Sequence, residues 1–289
     1  MTFKEKLNTC GFLVTSEIGP PKGISLDNIL KEIAPLKNRL DAINVTDLQS
    51  SCLRMGSLAA SIILKKNGFE PILQMTCRDK NRLALQAEAL SAAAFGIENI
   101  LALTGDHTSL GDHPGSMPVY DLDVVQFIQA LSKLRLGLDL NDNPLTGEPP
   151  AYTIGAVVNP GADPLEPEII KMEKKIESGV EFFQTQAVFD VKKFEDFLKS
   201  VKHLKTKIIA GIVPLKSERM AKYLNDRVPG LKVPDPAVRE IAEAPDKKEK
   251  SIEMSIRLIR ELKGKVNGIH LMPIGWYDVL PPILDSIGA

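Results

Sequence analysis

The chain is poor in the residues that build metal clusters and disulfide frameworks. Its 289 residues include three cysteines, four histidines and one tryptophan. Cys10, Cys52 and Cys77 lie far apart, and no Cys-x-x-Cys or Cys-x-x-His pair occurs. A structural zinc or iron–sulfur site needs four soft ligands at workable spacing, so no metal is expected. An odd, sparse set of thiols also argues against disulfides, and Cys52 and Cys77 read as small buried apolar residues. A dominant charge is missing too: 36 basic side chains face 37 acidic ones. That balance supplies no field to hold a nucleic-acid backbone. No apolar run is long enough to span a bilayer, and the polar N-terminus lacks the apolar stretch of a secretory signal. A cytoplasmic protein is expected. What remains, 44% hydrophobic and 25% charged, is the composition of an ordinary globular chain.

Familiar catalytic patterns are absent as well. There is no GxGxxG, P-loop, HExxH or EF-hand motif. The four histidines, His107, His113, His203 and His270, read as surface or loop residues, and no Ser/His/Asp or Cys/His set can be assembled. Hydrolase and kinase chemistry is therefore disfavoured.

What is present is an alternation. Short β-rich runs at 12–18, 42–46, 71–76, 100–104, 152–158, 181–186, 207–213 and 268–272 are separated by stretches of helical period. Helices are expected at 27–36, 53–65, 82–95, 122–134, 167–178, 191–204, 217–225 and 250–262. Gly68, Gly96 and Gly179 each follow a helix and precede a strand, where a residue with positive φ is wanted. Eight strand–helix units without a break in composition predict a closed parallel (β/α)₈ TIM barrel, one domain over residues 1–289. The open doubly wound sheet is disfavoured. After the first strand comes Gly19-Pro20-Pro21, and prolines supply no amides for a phosphate. The long interruptions 105–121 and 137–151 are expected to be functional or mobile.

In such a barrel, ligands sit at the C-terminal strand ends. Those ends carry Glu17; Asn44, Thr46 and Asp47; Gln74 and Thr76; Thr104, Gly105 and Asp106; Asn159; Gln184 and Gln186; and Lys216. Neutral hydrogen-bonding groups with a few carboxylates suit a polar heteroaromatic ligand better than a polyanion. Each has a bland alternative. Glu17 could be a solvated loop acid, Asp106 a helix N-cap, and Asn44 the partner of a neighbouring strand. Gln184 and Gln186 share one strand face. The basic run 171–175 reads first as a solvated helix face, with a phosphate grip as the alternative.

Taken together, the segments Glu17-Ile18-Gly19-Pro20-Pro21-Lys22, Asn44-Val45-Thr46-Asp47, 71–77, Leu103-Thr104-Gly105-Asp106, 179–186 and Gly211-Ile212-Val213-Pro214 resemble the methylenetetrahydrofolate reductase family over almost the whole chain. The stretches 111–115, 120–123, 143–145 and 155–160 are similar to its acetogen-type branch and to reductase domains fused to homocysteine methyltransferases. The resemblance implies a flavin-bearing barrel that reduces 5,10-methylenetetrahydrofolate to 5-methyltetrahydrofolate, in acetogenesis or methionine biosynthesis, by hydride transfer from reduced flavin. It implies Glu17 as the general acid, carrying its proton near neutral pH, and Asp106 as the acid beside flavin and pterin. It places Gln186 on the pterin. It places Thr46, Gln74, Thr104, Gly105, Tyr120, Asp121 and Ala156 on the flavin, with Lys171, Lys174 and Lys175 gripping the cofactor's phosphate or adenine end.

Enterobacterial members carry an arginine where this chain has Thr104 and a histidine where it has Gln74. That arginine reaches the flavin's phosphate side in the family, so FMN is the alternative to the FAD that the resemblance implies. Glu218 stands where those enzymes have a stacking aromatic, and Trp276 near their folate-tail arginine. The electron donor is accordingly either NAD(P)H or a partner subunit, in a hetero- or homo-oligomer. Two other readings are kept: a flavin-free, folate-binding methyltransferase barrel, and a silent subunit that docks an electron-transfer partner.

Overall fold

The computed structural model describes residues 1–9, 11–228 and 230–289, so Cys10 lies outside the described residues. Eight parallel strands close into a barrel in sequence order. They are β1 (Leu13–Ile18), β2 (Ala42–Val45), β3 (Pro71–Thr76), β4 (Asn99–Leu103), β5 (Thr153–Val158), β6 (Phe182–Ala187), β7 (Lys207–Ile212) and β8 (Gly268–Leu271). The helices between them are α2 (Asp27–Ile33), α3 (Ser57–Lys66), α4 (Arg82–Ala94), α5 (Val124–Arg135), α6 (Glu166–Glu177), α7 (Val191–Ser200) and α8 (Glu218–Arg227). Then come α9 (Asp235–Glu243), α10 (Lys247–Leu262) and, after β8, α11 (Leu280–Ile287); a short α1 (Phe3–Thr9) precedes β1. The expected (β/α)₈ barrel is the observed fold.

Local chemistry sets these boundaries. Asn81 caps α4 by accepting from the Ala84 amide, and Asp123 and Gln126 form a reciprocal capping box at the start of α5. Gly68, Gly96 and Gly179 close α3, α4 and α6 with φ of 81°, 72° and 116°. At Gly179 a Cβ would also run into the Ser132 hydroxyl, so space and backbone both require glycine.

Helices α1, α9 and α11 go beyond the sequence expectation. Prolines in the first turns of α9 and α11 read as breakers, yet the first turn tolerates proline because its amide has no helical partner there. Helix α3 starts four residues later than expected. Residues before it form a tight turn with left-handed Leu48, Ser50 and Ser51 (φ 46°, 56° and 57°). The loop at 137–151 leads into the start of β5, at the barrel end opposite the strand C-termini.

Strand period two builds the barrel interior in layers. The lowest layer is Leu13, Ala42, Ile72, Leu101, Phe182 and Ile209. Phe3 and Leu7 of α1 plug it from below, with the rings of Phe3 and Phe182 edge to face at 5.3 Å. Gly155 makes room for the Phe182 ring. The outer faces of the strands pack against the helices in the main core, which includes Val45, Leu73, Ile100, Ile154 and Phe183. Above the apolar plug the interior turns polar, and there the site begins.

Candidate active site

The middle layer is made of Thr15, Asn44, Gln184 and His270, all buried. Asn44 and Gln184 form a reciprocal amide pair across the barrel, from β2 to β6. Asn44 Nδ2 donates to Gln184 Oε1 at 2.6 Å, and Gln184 Nε2 donates back to Asn44 Oδ1 at 3.1 Å. Asn44 thus has a partner, but not on an adjacent strand. Thr15 Oγ1 lies 3.0 Å from His270 Nδ1 and donates to the Ile269 carbonyl at 3.3 Å. His270 corrects the reading of all four histidines as surface residues. His107, His113 and His203 are exposed, but His270 occupies an inward position of β8 and is buried. Its strand parity carries the missed signal: Gly268 and His270 share a face, as do Leu13, Thr15 and Glu17 on β1.

Glu17 stands one layer higher. It is buried, and its Oε2 lies 3.6 Å from His270 Nε2. Both line a cleft of about 330 Å³ at the C-terminal strand ends, together with Thr46, Gln74, Gly105, Asp106 and Gln186. Leu101, Leu103, Val157 and Met272 supply its apolar surface. Tyr277 is close enough to feel Glu17; burial first, and then the Glu17 charge, push its phenol up to about 12. Gln186 reaches the cleft through an irregularity in β6. The register shifts between Gln184 and Ala187, and the Gly211 amide donates to Thr185 Oγ1 at 2.9 Å in place of a ladder bond. Such a bulge re-aims a side chain, so Gln186 is exposed in the cleft while Gln184 stays in the interior pair.

The opposite wall rests on Arg78, which sequence reasoning missed. Its guanidinium is 1% exposed. Nη1 donates to the Asp106 carbonyl at 3.1 Å and Nη2 to the Leu48 carbonyl at 3.2 Å, while the same fork grips Asp79 at 2.7 to 3.0 Å. One side chain therefore fastens the turns after β2, β3 and β4. The turn after β4 needs glycine: Gly105 has φ 87°, and a Cβ there would sit 3.0 Å from Arg78 Cβ and 3.1 Å from Thr76 Cβ. Tyr120, itself at φ 40°, donates its hydroxyl to the Gly105 carbonyl at 3.1 Å. Asp47 is no free acid. It accepts from the Thr76 amide and hydroxyl and from Lys80 Nζ, at 3.0, 3.1 and 3.2 Å. Burial would lower the Lys80 ammonium, but Asp47 and Glu88 outweigh it and raise it.

Of the other expected contacts, Thr104 is exposed beside Gly105 on the cleft rim. Asp121 is tied to α4: it takes Arg82 Nε and Nη2, both at 2.9 Å, and the Arg82 amide at 2.8 Å, which brings its carboxyl down to about 2. Ala156 faces the helix layer and is buried in the outer core. Lys171 and Lys174 point to solvent from α6, whereas Lys175 is turned inward. Its Nζ donates to the Val157 carbonyl at 2.7 Å, and burial lowers its ammonium. These five do not converge with the cleft residues as one set of side chains.

The donor set fits a flat ring system with hydrogen-bonding edges. Thr46 Oγ1 is buried without a partner among the described residues. The amides of Gln74 and Gln186 bond to none of the described residues' side chains, and Gly105, packed against Arg78 and Thr76, lines the cleft with backbone alone. Unpaired hydroxyl and amide groups beside apolar side chains are what such a heteroaromatic needs.

The model of the family described as "Methylenetetrahydrofolate reductase" matches residues 2–288 of this chain. The chain belongs to that family. It is 28% identical over 262 residues to a probable methylenetetrahydrofolate reductase (NADPH) of Caenorhabditis elegans, covering 86% of this chain and 36% of the relative. To the 5,10-methylenetetrahydrofolate reductase of Pectobacterium carotovorum it is 24% identical, over 96% of this chain and 90% of the relative. The chain thus spans about a third of the nematode reductase but nearly all of the bacterial one. Among solved structures, a Clostridium thermocellum protein described as binding two copies of 5-methyl-5,6,7,8-tetrahydrofolic acid superposes with a TM-score of 0.63 at 17% identity, over 98% of this chain and 97% of that one. That likeness bears on the fold. No helix among the described residues is long and apolar enough to cross a membrane.

Proposed function

We propose that this member of the reductase family converts 5,10-methylenetetrahydrofolate to 5-methyltetrahydrofolate, with Glu17 as proton donor. The observation that carries the reading is the position of Glu17, buried at the C-terminal mouth in a cleft lined by hydrogen-bonding groups. Bridged folate accepts hydride only after it opens to an iminium, and a proton on N10 makes that opening feasible. A carboxyl group at the mouth, within the cleft that would hold the pterin, is placed for that task. Gln186, turned into the cleft by the β6 irregularity, would hydrogen-bond the pterin. Asp106 on the opposite wall would face both rings. Thr46, Gln74, Thr104, Gly105 and Tyr120 would hold a flavin, which when bound supplies the hydride. FAD is the first choice and FMN the alternative. The electrons would come from NAD(P)H or from a partner subunit.

The test begins with colour. The purified protein should carry a flavin that bleaches with reductant and regains absorbance with methylenetetrahydrofolate. Glu17→Gln should slow that second half-reaction by about 10²- to 10⁴-fold, the usual worth of a positioned acid, while flavin reduction persists. A protein that binds folate but neither FAD nor FMN would return the flavin-free methyltransferase reading. Equal loss of both half-reactions in Glu17→Gln would remove Glu17 from the acid's role.

A further inference from the structure

We propose that Arg78 is the positioning residue for Asp106, and that it acts with Tyr120 by pinning the two peptide planes on either side of the Asp106 Cα. The inference rests on the reading of Asp106 as the carboxylate that faces flavin and pterin. Asp106 is exposed in the cleft, and its carboxylate accepts no hydrogen bond from the described residues. Nothing but its backbone therefore directs it. The peptide before its Cα carries the Gly105 carbonyl, which accepts from the Tyr120 hydroxyl at 3.1 Å. The peptide after it carries the Asp106 carbonyl, which accepts from Arg78 Nη1 at 3.1 Å. Peptides are planar, so φ and ψ of Asp106 are the soft torsions between these two planes. Once both planes are fixed, so is the direction in which Cβ leaves Cα.

Arg78 governs both pins. Its backbone carbonyl accepts from the Val119 amide at 2.7 Å, which seats the residue before Tyr120. Tyr120 itself takes a left-handed φ of 40°, a conformation that persists only where the surroundings impose it. Its hydroxyl then meets Gly105, the glycine that packs against Arg78 Cβ. The guanidinium cannot drift, because Asp79 holds its other edge at 2.7 to 3.0 Å and the Leu48 carbonyl takes Nη2 at 3.2 Å. A planar fork held in this way gives the Asp106 carbonyl a donor of fixed direction, which water would not. The carboxylate meanwhile has no partner that it must leave before it can face a ring in the cleft. It needs a fixed stem instead, because a misplacement of about 1 Å can cost about 10²-fold in rate. In this role neither Arg78 nor Tyr120 exchanges a proton or an electron.

A double-mutant cycle through Asp106→Asn tests this. Arg78→Lys keeps the charge and loses the fork, and Tyr120→Phe loses only the hydroxyl. In the flavin-loaded protein each should slow the folate half-reaction by about tenfold to 10²-fold. Each should also raise the flavin's reduction potential, as Asp106→Asn should, because a carboxylate that swings away or is neutralised no longer opposes the entering electrons. In the Asp106→Asn background both effects should vanish. A merely structural role would act alike in both backgrounds, so losses that multiply undiminished overturn the proposal, as do wild-type rates in both variants. Should Arg78→Lys not fold, Tyr120→Phe decides alone. Crystal structures of the cofactor-free variants supply a second measurement: the Asp106 carboxyl should shift or spread over several positions, and a carboxyl left in its wild-type place refutes the positioning. Failure of this role and failure of the underlying reading are distinguishable. A slow Asp106→Asn beside two variants at the wild-type rate removes only the roles of Arg78 and Tyr120. An Asp106→Asn protein at the wild-type rate removes Asp106 from the chemistry, and the crystal structures then judge the pinning by themselves.

Discussion

Arg78→Met tests whether the cleft wall is built in advance by one buried cation. Methionine keeps most of the apolar stem and removes the fork. The fork serves the Leu48 and Asp106 carbonyls and Asp79. Each carbonyl left without its donor costs about 1–3 kcal/mol. Asp79, at 28% exposure, regains water and adds little. The two carbonyls together come to about 2–6 kcal/mol, a range that contains the about 3–5 kcal/mol for breaking a buried pair from one side. The loss should therefore be about 3–5 kcal/mol, read as a lower urea midpoint with the slope unchanged. It should also loosen the turns that Arg78 fastens. Leu48, Ser50 and Ser51 hold left-handed conformations, which persist only where the surroundings impose them. Limited proteolysis should therefore cut the variant within 105–121 well below its urea midpoint. Arg78→Lys keeps the charge but not the fork, and should fall between the two. A loss under about 1 kcal/mol with an unchanged cleavage pattern would refute the reasoning, since no buried hub could be removed so cheaply.

Other perturbations report on other layers. Burial pushes the Cys77 thiol up to about 12, so it carries almost no thiolate near neutral pH; iodoacetamide should label Cys52 in the native protein and reach Cys77 only in urea, as peptide mass mapping would reveal. Gly105→Ala should cost about 2–4 kcal/mol, from a positive φ and from crowding against Thr76 and Arg78, with the proposed flavin bound more weakly; wild-type urea stability and flavin affinity would contradict this. Gln184→Leu strands the Asn44 amide and should cost about 1–3 kcal/mol, while Asn44→Leu with Gln184→Leu should recover most of it. Additive losses in that double-mutant cycle would mean that the two amides do not depend on each other.

Eight strands and most helices were legible because their signals are local: β-branched runs, helical spacing, and glycines at three helix ends. The helices that escaped start on prolines or are seven residues long, too short for a period to show. The acids of the cleft were legible through the rule that ligands meet the strand C-termini. Their supports were not. His270 reads as one more histidine until the barrel closes, because Thr15 and Glu17 meet it from 255 and 253 positions away along the chain. Arg78 binds two carbonyls, and no sequence pattern marks a carbonyl's location. Asp121 and Lys175 were read from residue type alone, and their partners, Arg82 and the Val157 carbonyl, become visible only in the fold.

The layering of the barrel explains why polar groups sit where an apolar core would be more stable. Replacing Thr15, Asn44, Gln184 and His270 with well-packed aliphatics would remove desolvated amides and an imidazole whose net contribution to stability is small. What they supply is a paired polar layer beneath Glu17, and that pairing persists only if water cannot enter and supply competing partners. Exclusion from above depends on whatever ligand fills the cleft. From below it depends on Phe3, Leu7 and Phe182, which seal the N-terminal end. The seven-residue α1 thus bears on the cleft as well as on the fold: its two apolar side chains close the barrel end beneath the polar layer on which Glu17 stands.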